Sequence, residues 1–385
     1  MTSTNYRTWA EIDLDSLAHN IHSIRKVTGA NCEIMAAVKA DAYGHGVIAC
    51  SKEMISCGVN RFAVATLDEA IELRHAGITE PILVLNHIDE SLFSKSILFD
   101  VTHTVYTYKY AELLSNSCKK LNKKSKVHIK IDTGMGRIGF PMNKNTIDTI
   151  KEISSLPFII IEGIYSHFST ADTDDKEYCK FQYDNFTNIC NELERENIEI
   201  PYKHIANSAA ICNFPDTHFN IVRPGIILYG LLPSNDFYTN SVSLKPVMTL
   251  KSTVLYIKEL DSDMSISYGR NFITDRKSKI ATIAVGYGDG YMRALSGKAS
   301  VIINRERAPV VGNICMDQCM VDITDMKVDV NVGDEVILFG KDLPANDVAE
   351  QAGTISYEIV TSVGRRVPRV YIKNGKIENV LNYLL

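Results

Sequence analysis

The sequence predicts an α/β protein: an N-terminal (β/α)8 TIM-like barrel followed by a C-terminal, mostly β domain. Three observations carry this. Eight short β-rich runs alternate with helical stretches over the first two thirds of the 385 residues. Most of these runs are almost continuously apolar, as strands buried on both faces must be. After about residue 235 helical periodicity gives way to short β-type runs split by Gly, Asp and Asn.

The barrel strands are expected at 33–40, 61–67, 81–86, 101–107, 126–132, 159–168, 202–207 and 219–225. Between the first of them, residues 46–58 place Val47, Cys50, Met54 and Cys57 on one side, bounded by Gly46 and Gly58. Asp68 opens a second helix, in which Ala70, Leu73 and Ala76 share a face before Gly77 ends it. Residues 174–194 repeat Tyr178, Phe181, Phe186, Ile189 and Leu193 at helical spacing, an ordinary core stripe. Eight such alternations fit a closed barrel. An open doubly wound sheet is the alternative, weakened because no GxGxxG follows the first strand. The second domain is expected to place strands in 248–260, 279–287, 299–306, 318–325, 334–340 and 365–380, with helical character only around 346–353. The domains are accordingly drawn as 1–235 and 236–385, with no internal repeat or low-complexity linker.

Composition narrows the function. Hydrophobic residues at 45% and charged residues at 23% are those of a soluble globular chain. A formal charge of -5 gives no reason to expect a nucleic acid partner. "MTSTNYRTWAEIDLDS" lacks the apolar core of a secretion signal, and even "PFIIIEGIY" is interrupted by Glu162, so no membrane span is expected. Nine cysteines without a CxxC pair read as free thiols in a reducing cytoplasm, and no His/Cys cluster has metal spacing.

A barrel's chemistry sits at the C-terminal ends of its strands, and there the polar residues fall. "IMAAVKADAYGHG" delivers Lys39 at the end of the first strand. Taken alone, Lys39 could equally turn outward and mark the strand's end. Asp132 and the loop to Arg137 follow strand five, His167 ends strand six, Asn207 and Ser208 strand seven, and Arg223 and Gly225 strand eight. The loops after strands seven and eight of a barrel often hold a phosphate, which a hydroxyl at Ser208 and close approach at Gly225 would suit. A lysine facing a phosphate anchor points to pyridoxal 5'-phosphate held covalently through its amine.

These residues lie in motifs ordered along almost the whole chain: "AVKADAYGHG", "KIDTGMGRIG", "GIYSHFSTAD", "ANSAA", "RPGIILYG", "SYGRNF", "VGYGDGY" and "ICMDQCMVD". In this set the chain closely resembles the alanine racemases, fold-type III pyridoxal-phosphate enzymes with a barrel and a β domain. The resemblance implies that Lys39 carries the cofactor and is one of two proton-transferring groups. Tyr268, supplied by the partner subunit of a homodimer, is the other. It assigns phosphate contacts to Tyr43, Ser208, Gly225 and Tyr357, with Asn207 beside them. Arg223 faces the pyridine nitrogen, with His167 next to it. Arg137 and the Met316 backbone hold the substrate carboxylate, and Tyr287 and Asp317 border the entrance across the dimer. Family members often carry a carbamylated lysine that orients the neighbouring arginine, and Lys130 with Arg137 keeps that spacing. The implied role is supply of D-alanine for peptidoglycan in a bacterial cytoplasm.

The chemistry fits the residue types. Inversion at an α-carbon calls for one acid/base on each face, and lysine and phenol both need their pKa of ~10 tuned downward to serve. Arginine at the pyridine nitrogen keeps its proton and weakens the ring as an electron sink, which favours racemisation over transamination. Tyr268, in a polar β segment, could otherwise be a surface turn tyrosine, and His167 a satisfied core histidine. Tyr357 narrows the side-chain pocket toward a methyl group, so alanine is expected over serine. Asn313 stands where many relatives have arginine, and 361–369 departs locally from the family's run. The rivals are a pyridoxal-phosphate homeostasis protein, which would lack the β domain, and a related decarboxylase or broad-spectrum racemase.

Overall fold

The structure, a computed structural model, describes residues 6–385; the first five residues of the N-terminal segment read for a signal lie outside the described residues. A first strand, β1 (Thr8–Asp13), runs into the helix Leu14–Thr28, whose first turn is capped by Asp13 accepting from the Ser16 N–H at 2.9 Å. Eight parallel strands follow: β2 (Glu33–Ala37), β3 (Arg61–Val64), β4 (Ile82–Val84), β5 (Thr102–Val105), β6 (Ser125–Lys130), β7 (Ile159–Tyr165), β8 (Tyr202–His204) and β9 (Ile221–Val222). They pair in order from β2 to β8, and β9 pairs back onto β2, so the sheet is a nearly closed barrel. Each strand lies where its apolar run predicts. The strands stop short of the expected C-terminal ends because Lys39, Asp132, His167, Asn207 and Arg223 stand beyond the ladder, in the loops of the barrel mouth.

The helices Val47–Ser56, Leu67–His75 and Lys176–Arg195 fall on the expected periodic segments. The second begins earlier than Asp68: Thr66 is its cap, in a capping box with Glu69.

The C-terminal region contributes β10 (Met248–Leu260), β11 (Ser265–Ile266), β12 (Phe272–Ile273), β13 (Ser278–Ile283), β14 (Ser300–Ile303), β15 (Glu306–Val311), β16 (Cys319–Asp322), β17 (Glu335–Phe339), β18 (Arg369–Lys373) and β19 (Lys376–Leu381). Helix Ala345–Ala352 is the expected one; Ser356–Thr361, too short to show a period, is not. The large sheet runs β13-β16-β15-β14-β17-β10-β1-β18-β19. The chain's opening strand thus belongs to the second sheet and not to the barrel. β1 pairs antiparallel with β10 and parallel with β18, as an interior strand of the second sheet and not a barrel stave.

The two units interlock below the barrel mouth. Arg369, fully buried, donates to the carbonyls of Gly44 (2.9 Å), Val363 (2.7 Å), Gly364 (2.7 Å) and Val367 (2.6 Å). A Cβ on Gly44 would strike the Val360 carbonyl, so glycine lets the helix Ser356–Thr361 pack against the turn after Lys39. Among the described residues, no helix is long and apolar enough to cross a membrane, and no group of His, Cys, Asp and Glu side chains could hold a metal.

Candidate active site

Lys39 stands two residues past β2, at the start of an unusual turn. Ala40, Asp41, Ala42 and Tyr43 have φ of 51, 57, 53 and 54° with ψ of 50, 49, 49 and 40°, a full left-handed turn built from residues with side chains. Each such residue costs about 1–2 kcal/mol, so the surroundings must impose it. Glu69 accepts from the N–H groups of Ala40 (2.7 Å), Ala65 (2.7 Å) and Thr66 (3.1 Å). Asp41 accepts from the Val47 N–H at 2.7 Å and from the Tyr383 hydroxyl. The turn rolls Tyr43 into the barrel mouth, its ring 5.0 Å from that of Tyr229 and 6.0 Å from that of Tyr357.

A cavity of about 500 Å³ opens there. It is lined by Lys39, Tyr43, Lys130, Arg137, His167, Asn207, Ser208, Arg223, Gly225 and Tyr357, all of them expected from the sequence. One wall is a cradle. A Cβ on Gly225 would lie 2.7 Å from the Tyr43 hydroxyl, and the Gly225 N–H donates to Ser208 Oγ at 2.9 Å. Asn207 accepts from the Ala210 N–H at 3.0 Å, which caps the short helix Ser208–Asn213 and aims Ser208 into the cavity. Hydroxyls and a main-chain N–H crowded against a missing side chain are groups that bind phosphate oxygens.

The opposite wall is cationic. Burial and then the Arg137 charge lower the Lys39 pKa, against the opposing pull of Glu69. Burial and the Arg223 charge bring Lys130 down to about 7. Lys130 Nζ donates to the Ile131 carbonyl at 3.1 Å and lies 5.0 Å from the centre of the Tyr165 ring. Arg223 donates to the Ser166 carbonyl (2.7 Å), the Ile205 carbonyl (3.2 Å), His167 Nδ1 (3.2 Å) and His204 Nδ1 (2.6 Å). Burial lowers its pKa to about 10, which leaves it charged at neutral pH. His167 lies well below the ordinary imidazole value through burial and four surrounding cations, Arg223 first, and is neutral. Four cationic side chains around one pocket, with burial lowering three of them, call for an anionic occupant.

The remaining expected residues are elsewhere. Tyr268 is 73% exposed and, with Tyr287, Met316 and Asp317, forms a separate exposed group in the β region, outside this cavity. The Asn313 side chain donates to the Tyr268 carbonyl at 2.7 Å, and the Gly288 N–H donates to the Met316 carbonyl at 2.9 Å. Arg366 joins Asp317 (2.6 Å) to the buried Asp289 (2.9 Å). Met316 therefore lies outside the cavity that Arg137 lines within one chain.

Sequence reasoning missed Glu69, Tyr165 and His204. Glu69 had a signal, the Thr66-x-x-Glu69 capping pattern. Tyr165 and His204 lie inside apolar strand runs, and only their inward pointing makes them part of the site.

Two family models cover the chain: "Alanine racemase, N-terminal domain" over residues 12–233 and "Alanine racemase, C-terminal domain" over 247–371. An alanine racemase of Clostridium novyi is 51% identical over 380 residues, 98% of each chain, and one of Methanococcus maripaludis is 47% identical over 94% of this chain and 98% of its own. Among solved structures, alanine racemase of Clostridium difficile superposes over the whole of both chains with a TM-score of 0.97 at 42% identity. That of Bacillus anthracis with bound L-Ala-P gives 0.93 at 37%, covering 100% of this chain and 99% of the other.

Proposed function

This chain belongs to the alanine racemase family, and from that membership we propose that it interconverts L- and D-alanine in a homodimer, with pyridoxal 5'-phosphate held on Lys39. The observation that carries the proposal is the single cavity joining a lysine of lowered pKa, the Tyr43–Ser208–Gly225 cradle and Arg223. These residues fit the cofactor: the cradle and Tyr357 for the phosphate, Asn207 behind them, Arg223 for the ring nitrogen and Lys39 for the aldehyde carbon. When bound, pyridoxal phosphate supplies an electron sink that makes the α-proton of an amino acid removable.

The chain's own groups divide the remaining work. Lys39 Nζ, whose pKa is lowered by burial and the Arg137 charge, takes or returns a proton on one face of the α-carbon. The partner subunit's Tyr268 hydroxyl serves the other face, which accounts for its exposure in one chain. Met316, Tyr287 and Asp317 arrive with it, so that the Met316 backbone joins Arg137 at the substrate carboxylate and the other two border the entrance. Arg137 is oriented by a carbamate on Lys130, whose neutral amine is the form that adds carbon dioxide. Arg223 stays protonated and donates to the ring nitrogen, which disfavours transamination. The domains are 1–235 and 236–385, with β1 crossing between them. The setting is a bacterial cytoplasm and the product D-alanine for peptidoglycan; L-Ala-P in the Bacillus anthracis structure supports an alanine-sized substrate.

The test is L-alanine offered to the loaded protein in deuterated water. D-Alanine labelled at the α-carbon supports the proposal; carbon dioxide release without inversion points to the decarboxylase reading and overturns it. Tyr268→Phe should block exchange preferentially in one direction, and equal loss in both would mean that the tyrosine serves neither face specifically.

A further inference from the structure

Behind Arg223 a line of hydrogen bonds runs down the barrel interior, away from the cavity. Arg223 Nη1 reaches His204 Nδ1 (2.6 Å), His204 Nε2 reaches His128 Nδ1 (2.7 Å), and His128 Nε2 reaches Glu162 Oε1 (3.2 Å). Donor chemistry leaves one direction. A guanidinium only donates, so His204 must accept at Nδ1 and carry its proton on Nε2. His204 then donates to His128 Nδ1, which forces the His128 proton onto Nε2, aimed at the Glu162 carboxylate.

The surroundings maintain this arrangement. Burial, and for His204 then the Arg223 charge, lowers the pKa of both imidazoles, so both are neutral. The Tyr165 ring stacks on His204 at 4.8 Å and 6°, and its hydroxyl bonds Thr104 at 2.9 Å. Gly163 makes room for His128: a Cβ there would overlap the imidazole. Burial pushes the Glu162 carboxyl up, but the His128 bond and the charges of Arg61 and Lys126 outweigh it, and the group is ionised. Its other partners are Arg61 (3.5 Å), Lys126 (3.8 Å) and the Thr102 hydroxyl (3.5 Å). Arg61 is shared with Glu33 and lies 3.9 Å over the Tyr202 ring, so one cation in contact with Glu162 is already paired.

We propose that Glu162, three hydrogen bonds from Arg223, is a positioning residue for the reaction. Its carboxylate fixes the proton positions on His128 and His204 and the strength with which His204 accepts from Arg223. It thereby sets how strongly Arg223 donates into the cavity. This rests on the reading of Arg223 as the partner of the cofactor's ring nitrogen. With Glu162 neutralised, His204 becomes a poorer acceptor and Arg223 a stronger donor to that nitrogen. The ring then draws electrons more strongly, and proton return to the cofactor in place of the α-carbon becomes more frequent.

The experiment uses the full-length protein with and without added pyridoxal phosphate. Nitrogen-15 NMR of the unaltered protein, with the two rings assigned through His128→Asn and His204→Asn, should show both neutral with the proton on Nε2. Glu162→Gln keeps an acceptor but removes the charge. In the loaded variant the pH midpoint of the visible absorption band should fall, and the ratio of 2-keto acid to D-alanine formed from L-alanine should rise several-fold. Lys126→Ala, which removes an ion partner but not the relay, should change neither. A proton on Nδ1 of either ring, or an imidazolium, overturns the proposal. So does a Glu162→Gln protein that only melts earlier, with band and product ratio unchanged. If Glu162→Gln does not fold, the proton positions in the unaltered protein decide. Intact proton positions and a shifted band in a protein that does not racemise alanine would leave the relay standing and remove the assigned reaction.

Discussion

Lys130 sits 2% exposed between Arg223 and Arg137, and its surroundings convert position into chemistry. Its folded pKa of about 7 lies below the ordinary 10.5, so across that window the unfolded chain holds a proton that the folded chain does not. Stability from this group therefore rises with pH from about 7 toward 10.5, by on the order of a few kcal/mol, and is lost again as pH falls through the folded value. Thermal melts in carbon-dioxide-free buffer should show that slope, and Lys130→Met should abolish it. Under carbon-13 bicarbonate, NMR should detect a carbamate carbon that Lys130→Met lacks; a plain ammonium in the unaltered protein would contradict the modification. Much at this scale was legible in the sequence. A lysine, a histidine and an arginine ending apolar runs are rare enough to point at a barrel mouth. His128, Glu162 and His204 were not legible, because a polar residue inside an apolar run does not declare whether it faces the interior or a helix.

The left-handed turn after Lys39 is where local sequence and observed backbone disagree most. Ala and Tyr disfavour positive φ and Asp adopts it only as an isolated residue, so "KADAYG" does not mark a run of four. The turn exists because partners elsewhere hold it, Glu69 above all. Glu69→Ala removes the acceptor for three N–H groups and should cost about 1–3 kcal/mol, read by thermal melting, with a larger fall in activity than in stability. Gly225→Ala places a methyl group within 2.7 Å of the Tyr43 hydroxyl. It should weaken retention of pyridoxal phosphate in equilibrium dialysis while leaving the melting temperature nearly unchanged. The eight barrel strands were readable because burial on both faces writes a continuous apolar run. The helix Ser356–Thr361 was not, since six residues make too few turns to display a period.

At the scale of the molecule, β1 and Arg369 tie the barrel and the β region together. The sequence showed two characters along the chain but not this stitching, which depends on a strand inserted between β10 and β18, more than 200 residues away. Arg369→Met would leave four carbonyls, three of them in buried bonds, without their donor and should destabilise the protein by about 3 kcal/mol or more, seen as an earlier denaturant midpoint in which Trp9 fluorescence and activity fall together. Lys39 lines the cavity of one chain and Tyr268 lies exposed outside it, and the proposed site is completed by a second chain. Mixing a Lys39→Ala protein with a Tyr268→Phe protein, each inactive alone, tests this most directly. Under conditions that exchange subunits, half the dimers are mixed and each holds one intact pair, so activity should return to about a quarter of the unaltered level. No recovery, with mixed dimers demonstrated, would contradict a site completed by the partner subunit's Tyr268.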